Sequence, residues 1–408
     1  MNEQYQPDPQ TEPDEQTQPE PQEDAVPGPL AGLRVVELAG IGPAPFAAML
    51  LADLGADVVR VERPGRSSWP ADPQLDLLQR GKRSIVVDLK NPEGLEVVRQ
   101  LADRADVLLE GFRPGVAERL GLGPEDCARR NPKLVYGRMT GWGQDGPLAD
   151  RAGHDIAYLA LTGALHAMGR AGGPPQVPLN LVGDFGGGSL YLLLGVLSAL
   201  WEAGRSGRGQ VVDAAIVDGA ASLMAMPYAF FGAGLWQDRR GANLLDTGAP
   251  FYDVYETSDG GWMAVGPLEP QFYAEFVRLL GLADDPTMPG QFDIAAWPTL
   301  RTRFAETFAT RTRDEWTAVF TPSDACVAPV LSMTEAPQHP HLAARGTYVS
   351  RDGRVEPAPA PRFDRTPTSL REAPAVPGTH SREVLTELGL DADRLLGEGV
   401  VGAPEGAP

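Results

Sequence analysis

Two short motifs carry groups that could exchange a proton with a substrate. The first is Gly153-His154-Asp155, and the second, thirty residues after the histidine, places Asp184 just before three consecutive glycines, Gly186 to Gly188. An imidazole, a carboxylate and free amides at a glycine-rich turn are what proton abstraction next to a carbonyl requires, because the amides stabilise the negative charge that develops. From the residues alone, Asp184 is equally consistent with a helix N-cap, and His154 with a structural role.

A third carboxylate stands in Gly266-Pro-Leu-Glu-Pro270, where Glu269 precedes a predicted helix. It is either a helix-start residue or a site residue, and the spacing does not decide between the two.

Basic residues concentrate between positions 60 and 90, in a chain whose formal net charge is −20. This local reversal of sign indicates an anionic partner, and Arg113 and Arg119 could add to the same surface because strand ends in a doubly wound sheet converge on one crevice. A solvated basic face is the alternative interpretation. The seven basic residues are Arg60, Arg63, Arg66, Arg80, Lys82, Arg83 and Lys90.

Several functional classes are excluded by composition and motif. The acidic balance, with an isoelectric point near 4.7, argues against holding nucleic acid or an anionic membrane through the overall field. Cys127 and Cys326 have no metal-ligand spacing around them. Gly40 to Pro45 follows a strand, but it lacks the third glycine of a dinucleotide fingerprint. We therefore predict no metal and no cofactor, and interpret this loop as lying near some ligand.

Short apolar runs that alternate with helical periodicity begin at Leu33 and predict an α/β fold with a doubly wound parallel sheet. The pattern then changes to predicted antiparallel strands within 251–265 and helices at 271–282 and 300–310, and Thr312-Arg-Asp-Glu315 reads as a capping box. The segment 326–331 is predicted to be a strand that returns the chain to the first domain. The Pro-rich stretch 357–367 suggests an arm on a surface.

The remaining segments suggest a tail and a buried helix. Residues 1–28 hold eight acidic and no basic side chains, which predicts a disordered tail. Residues 185–201 carry no charge, but they fall short of the roughly 20 residues that a membrane span needs, so we expect a buried helix. The sequence shows no secretory pattern at its start and no peroxisomal pattern at its end, which leads us to expect a cytoplasmic protein.

Seven stretches of the chain resemble the class III CoA-transferase family, in its racemase branch, and the resemblance runs from about residue 30 to 370. The stretches are Gly32-Leu-Arg-Val-Val-Glu-Leu-Ala-Gly-Ile-Gly-Pro43, Leu51-Ala-Asp-Leu-Gly-Ala-Asp-Val-Val-Arg60, Ala152-Gly-His-Asp-Ile156, Leu179-Asn-Leu-Val-Gly-Asp-Phe-Gly-Gly-Gly188, Gly207-Arg-Gly-Gln-Val-Val-Asp-Ala214, Gly248-Ala-Pro-Phe-Tyr252 and Ser323-Asp-Ala-Cys-Val-Ala-Pro-Val330.

This resemblance implies a Rossmann-like large domain built from both chain ends (29–225 with 330–385), a small middle domain (240–325), and an interlocked homodimer. The C-terminal end, 386–408, has no predicted place in either domain. The resemblance also implies that a coenzyme A ester binds as substrate. By position, the residues implied for this site are Ile41, Arg63, Val87, Asp88, Leu89, Lys90, Gly111, Phe112, Arg113, Arg119, Gly153, Asp155, Tyr158 and Asn180.

His154 and Asp184 match the two catalytic residues of the racemases, and Glu269 matches a carboxylate that orients the histidine from the partner subunit. The implied reaction is interconversion of (R)- and (S)-2-methylacyl-CoA thioesters through an enolate, with amides at Asp184 and after it as the enolate donors. Two alternatives stay open. A class III CoA-transferase would use Asp184 as a nucleophile, although the family's transferases lack the histidine. A catalytically silent acyl-CoA-binding protein would need none of the three residues.

Overall fold

The computed structural model of the chain describes residues 28–65 and 72–404. The predicted acidic tail, apart from Gly28, lies outside the described residues, as do Arg66 and the last four residues. The strands are β1 (Arg34–Leu38), β2 (Asp57–Glu62), β3 (Lys82–Val87), β4 (Val107–Glu110), β5 (Val135–Thr140), β6 (Val211–Ala215), β7 (Asp253–Glu256), β8 (Trp262–Val265), β9 (Val327–Pro329), β10 (Tyr348–Arg351), β11 (Arg354–Pro357) and β12 (Val401–Gly402).

The helices connect these strands. The α-helices are α1 (Pro43–Asp53), α2 (Pro92–Arg104), α3 (Val116–Arg119), α4 (Pro124–Arg130), α5 (Asp155–Leu161), α6 (Ala164–Ala167), α7 (Leu190–Ser206), α8 (Ile216–Leu223), α9 (Ala225–Gly232), α10 (Pro270–Leu279), α11 (Trp297–Phe308), α12 (Arg313–Phe320), α13 (Pro340–Ala344), α14 (Ser381–Leu388) and α15 (Ala392–Gly397). A π-helix spans Leu181–Ser189, and short 3₁₀ turns include Pro73–Leu75 and Leu77–Gln79.

The large sheet has the strand order β12-β3-β2-β1-β4-β5-β6. All neighbouring strands are parallel except β12, which runs antiparallel to β3. The α/β class and the large parallel sheet predicted from the sequence are therefore confirmed. The chain order reverses between β1 and β4, and in sheets of this kind ligands bind at the carboxyl ends of the strands beside such a reversal.

Both faces of the large sheet are covered, which explains the nearly continuous apolar runs of its strands. One face packs β1 to β5 side chains against α2, α14 and α15, and the other packs them against α1 and α7. On the second face, Ala47, Ala48 and Ala52 of α1 are almost fully buried. These small residues let α1 lie close to the sheet, so the helix that starts at Pro43 is held firmly at the carboxyl end of β1.

The C-terminal end, for which the sequence offered no element, forms α14, α15 and β12. Leu388, Leu395 and Val401 are buried in the same core cluster as β1 to β4. The large sheet is therefore completed by residues near the end of the chain.

A three-stranded antiparallel sheet, β7-β8-β9, forms the centre of the middle region. Its hairpin and the capping box at Thr312 agree with the sequence prediction. The strand predicted at residues 326–331 is present as β9, and it joins this middle sheet by pairing with β8 through Val327 and Pro329. Aromatic side chains from α10, α11 and α12 fill this core. Ala325, just before β9, is buried among them, and Val327 of β9 packs against the same cluster.

The apolar run at residues 185–201 belongs to a continuous helical segment, Leu181–Ser206, that packs on β5, β6 and α8. By length and composition this segment could cross a membrane. Only about a third of the residues in its apolar stretch are buried inside the chain. The expectation of a buried helix is therefore only partly right: Leu192, Val196 and Ala199 are buried, whereas Leu194 and Trp201 are 61% and 74% exposed.

Candidate active site

A cavity of about 870 Å³ opens at the carboxyl ends of β1, β4 and β5. Its walls come from the loop after β1, the residues after β4 and β5, the start of α5 and the π-helix. Nine of the residues implied by the family resemblance line it together. They are Ile41, Gly111, Phe112, Arg113, Gly153, His154, Tyr158, Asn180 and Asp184.

His154 is held at the start of α5 by the packing of Tyr158. The Tyr158 ring lies edge-on to Trp142, with ring centroids 4.7 Å apart. A Cβ atom at Gly141 or Gly153 would lie 2.0 or 2.6 Å from this ring, so only glycine fits at either position. The glycine before His154 is therefore required by close packing, and that packing fixes the loop that presents the imidazole.

Asp184 lies inside the π-helix, so the interpretation of this residue as an N-cap is wrong. The widened helix turn is possible because its glycines allow close contacts: a Cβ atom at Gly187 would lie 2.7 Å from the Ala220 amide nitrogen of α8. The Ser189 hydroxyl adds a tether by donating to the Pro43 carbonyl at 2.7 Å. Residues inserted into a helix as a π turn often lie at functional sites.

Asp155 lies behind the cavity wall and does not line the cavity. Its Oδ1 accepts a hydrogen bond of 2.7 Å from the Asp184 amide, and the Gly183 amide donates to the same carboxylate. Its Oδ2 is buried without a hydrogen-bond partner among the described residues. This contact corrects one expectation from the sequence: the Asp184 N–H is already used by Asp155, so it is not available to stabilise an enolate.

The carboxyl group of Asp184 has a pKa raised to about 6. Desolvation is the largest cause, and the negative charge of Asp155 raises the pKa further, whereas a hydrogen bond from Asn180 and the charge of His154 lower it. Burial likewise raises the pKa of Asp155. An aspartate with a pKa near 6 exchanges protons close to neutral pH, which is what a group that both accepts and donates a proton needs.

The other implied CoA residues lie along the same edge of the sheet, outside the cavity lining. Arg63 directly follows β2, and Val87 to Lys90 end and follow β3. The Arg119 guanidinium lies beside Gly115, which follows the cavity-lining Arg113 closely. Because carboxyl ends of parallel strands share one edge, the strand-end residues among them lie on the side of the sheet where the cavity opens.

Most of the basic side chains at residues 60–90 form ion pairs with carboxylates of the same chain. Arg60 and Lys82 pair with the buried Glu37, and Arg80 pairs with Asp53. Arg83 binds Asp57 at the opposite end of the sheet. Of the seven basic residues, Arg63 and Lys90 remain at the carboxyl edge among the described ones, so the interpretation of the whole cluster as an anion site is wrong.

Glu269 is the N-cap residue of α10 in the middle region and does not line the cavity of the single chain. Its charge acts on Cys326, the residue just before β9. Among residues 28–65 and 72–404, no group of three or more histidine, cysteine, aspartate or glutamate side chains is arranged to hold a metal ion.

The sequence did not identify several cavity residues that carry no obvious chemistry. Leu75, Asp76, Leu78 and Gln79 come from a segment of irregular structure, and Phe185 stacks on Phe46 with ring centroids 4.4 Å apart. In the sequence, only Phe185 could have been assigned to the site, because it directly follows Asp184.

Comparisons with known proteins show the family of the chain. The model of CoA-transferase family III matches residues 30–381. The alpha-methylacyl-CoA racemases of Mus musculus and Homo sapiens are 48% and 47% identical to this chain over 370 and 369 residues, each covering 90% of this chain and 95% of the relative. A crystal structure of a CAIB/BAIF family protein from Brucella suis has a TM-score of 0.77 and 28% identity, covering 89% of this chain and 100% of that one.

Proposed function

The chain belongs to CoA-transferase family III, and we propose that it is a racemase that interconverts (R)- and (S)-2-methylacyl-CoA thioesters by moving one proton at the α-carbon. The observation that carries the proposal is the pairing of two proton-exchanging groups in one cavity. His154 enters from the start of α5, and Asp184 enters from the π-helix with a pKa of about 6.

Inversion at a carbon needs a base on one face and an acid on the other, since a single group that returns its own proton regenerates the starting hand. In the proposed reaction His154 removes the α-proton of one enantiomer, and protonated Asp184 delivers a proton to the opposite face. The roles exchange in the reverse direction. The pair therefore works with one proton between them.

The enolate that forms between the two groups must be stabilised by donors other than the Asp184 amide. The first amides of α5, at Asp155 and Ile156, follow His154 directly and have no acceptor within the helix, because the first turn of any α-helix leaves its N–H groups unpaired. We assign these amides to the thioester oxygen. Loss of one such donor typically costs about 3 to 4 kcal/mol of transition-state stabilisation.

The coenzyme A part of the substrate would lie along the carboxyl edge of the sheet. Arg63, Lys90, Arg113 and Arg119 supply positive charge there for its phosphates, and arginine binds phosphate oxygens in pairs. This arrangement needs no redox cofactor or metal, because coenzyme A is part of the substrate and the proton moves between protein groups.

We also propose that two copies of this chain form an interlocked homodimer. The support is an apolar surface on α7 and α9, where Leu194, Trp201, Met226 and Phe231 are each at least half exposed. A surface of this kind usually marks an interface. In the dimer, Glu269 of one copy would approach His154 of the other, which would explain its distance from the cavity lining in the single chain. We place the enzyme in the cytoplasm.

The decisive experiment is NMR of one enantiomer of a 2-methylacyl-CoA in deuterated water, with enzyme and no other acid present. We expect deuterium at the α-carbon together with the appearance of the opposite enantiomer, and loss of inversion in His154→Ala. If His154→Ala inverts both enantiomers as fast as the unchanged protein, the assignment of the base is wrong.

The same sample separates the alternatives. A CoA-transferase that uses Asp184 as nucleophile would leave the α-hydrogen in place. Its Asp184 would attack the thioester, release CoA and form an enzyme-bound anhydride that hydroxylamine traps, and transfer would be completed only when an acceptor acid is added. A silent binding protein would show neither result while calorimetry shows bound CoA ester. Either pattern would overturn the racemase proposal.

A further inference from the structure

Lys82 is a fully buried ammonium group that the proposed reaction does not use. The chain contains three lysines, and the side chain of this one is 1% exposed. Its Nζ donates to Glu37 Oε2 at 2.6 Å, to the Pro45 carbonyl at 2.9 Å and to Gln79 Oε1 at 3.2 Å. Its neighbour Arg60 donates to Glu37 and to the same Gln79 oxygen.

Two of these contacts end on residues that line the cavity. Pro45 lies in the first turn of α1, beside the loop after β1, and Gln79 ends the segment 72–79, which contributes a neighbouring wall of the cavity. Gln79 passes the connection on by donating to Asp76, whose carboxylate also accepts from the Leu78 amide. The ammonium thus lies behind the corner where two walls of the cavity meet.

The segment 72–79 has little structure of its own to hold it in place. It consists of two single 3₁₀ turns, each capped by its own aspartate, Asp72 or Asp76. Turns of this length are weak because each fixes backbone dihedrals for one hydrogen bond. Its position over the cavity must therefore come from contacts with its neighbours. The second turn packs on α1, Arg80 directly after it pairs with Asp53, and Gln79 binds Arg60 and Lys82.

Burying this ammonium is unfavourable for folding, which argues for a role other than stability. Desolvation lowers the pKa of Lys82 to about 8, although the charge of Glu37 acts in the opposite direction. Apolar replacements of buried ion pairs are often neutral or stabilising. A charged network that disfavours folding and touches the site on two sides is better explained by the geometry that it maintains.

We propose that Lys82 is a positioning residue that fixes the 72–79 wall and the start of α1 at the spacing required to bind coenzyme A. The inference rests on the proposed function only in the identity of the ligand. It predicts that Lys82 controls binding of the CoA part of the substrate, whereas the proton transfer between His154 and Asp184 proceeds at its normal rate once substrate is bound.

The test measures binding of free coenzyme A by calorimetry to Lys82→Met, Gln79→Ala and the double variant, with exposed Lys133→Met as the matched control. We expect each single variant to weaken binding by about ten-fold, because a displaced wall misplaces every contact that it makes. The double variant should be no more than about three-fold weaker than the weaker-binding single variant, since both changes break one connection. Lys133→Met should bind as the unchanged protein does.

Turnover gives the second readout: KM should rise in Lys82→Met while kcat stays near its normal value, and Lys82→Arg should recover part of the binding. Normal binding in Lys82→Met, or losses that multiply in the double variant, would overturn the inference. If Lys82→Met fails to fold, the double variant Glu37→Gln/Lys82→Met removes both partners of the ion pair. Weak CoA binding by this variant at an unchanged Tm would then support the inference, and normal CoA binding would oppose it.

The binding assay needs no turnover. If the unchanged protein binds CoA, loses that binding in Lys82→Met and shows no α-proton exchange, the racemase proposal is wrong and this inference still holds. If the protein racemises the substrate and Lys82→Met binds CoA normally, the racemase proposal holds and this inference is wrong.

Discussion

Asp155→Asn gives the sharpest test of how the site sets the proton affinity of Asp184. The asparagine keeps an oxygen that can accept from the Gly183 and Asp184 amides, so the π-helix keeps its tether, while the negative charge beside Asp184 disappears. Because that charge raises the pKa of Asp184, its removal must lower the pKa. Desolvation, the larger cause, remains, so the pKa should stay above the ordinary value.

The size of the effect follows from Coulomb's law. Two carboxylates on either side of one amide are roughly 5 to 6 Å apart, and an effective dielectric constant of about 20 to 40 gives about 1.5 to 3 kcal/mol. This corresponds to roughly a ten- to hundred-fold change in the protonation equilibrium. Asp184 faces an open cavity, so screening by solvent favours the lower end, about ten-fold.

The assay is the pH profile of kcat/KM for inversion, measured from each enantiomer. We expect kcat/KM of Asp155→Asn to fall about ten-fold at neutral pH, because protonated Asp184 becomes rarer and its carboxylate becomes a weaker base. The loss must be equal in both directions, since the two enantiomers have nearly equal free energies. The acidic limb of the profile should move to lower pH.

Asp393→Asn is the control, because it removes an exposed carboxylate on α15, far from the cavity. It should leave the profile unchanged. A folded Asp155→Asn protein whose acidic limb coincides with that of the unchanged enzyme would refute the assigned role of the Asp155 charge.

Three further predictions concern the site and its supports. Glu269→Gln should lower kcat by about 10²-fold or more if this carboxylate orients the imidazole, and a normal pH profile and rate would exclude that role. Gly187→Ala should destabilise the protein by about 1 to 3 kcal/mol because the new methyl group would contact α8. Gly204→Ala, where α7 leaves open space, should stabilise the protein by about 0.5 to 1 kcal/mol. Thermal unfolding of both variants measures the difference, and equal Tm values would contradict the prediction. Leu194→Glu with Trp201→Glu should convert a dimer to monomers in light scattering and abolish inversion, and an unchanged mass would place the interface elsewhere.

Much of the fold could be predicted because parallel strands are apolar on both faces and leave a simple pattern. Strands β1 to β6 form one parallel sheet covered by helices, as the alternating pattern that begins at Leu33 predicts. The sheet that β9 joins could not be predicted, for a physical reason. Its residues, Val327 to Pro329, are all apolar and do not alternate, and the choice of sheet depends on the aromatic core around Trp316 and Phe320. Such long-range packing leaves no signal within the strand itself.

The candidate site shows the same division. The residues that exchange protons stand in motifs that resemble a known family, and the structure brings His154 and Asp184 into one cavity. Charge counting misled at residues 60–90, because a count cannot distinguish a basic side chain that faces a ligand from one that neutralises a buried glutamate such as Glu37. The position of Asp155 behind the wall was also hidden, because it depends on a π-helix that no periodicity in the sequence announces.

The antiparallel pairing of β12 with β3 has a consequence for how the protein is made. Val401 leaves the ribosome more than three hundred residues after Val87, its partner in the sheet. Until Val401 has been synthesised, β3 remains an outer strand with unpaired backbone groups, and such strands can pair with other chains. A nascent chain that has not yet reached Val401 therefore carries an exposed sheet edge, and truncation before that residue would leave the edge of β3 unpaired.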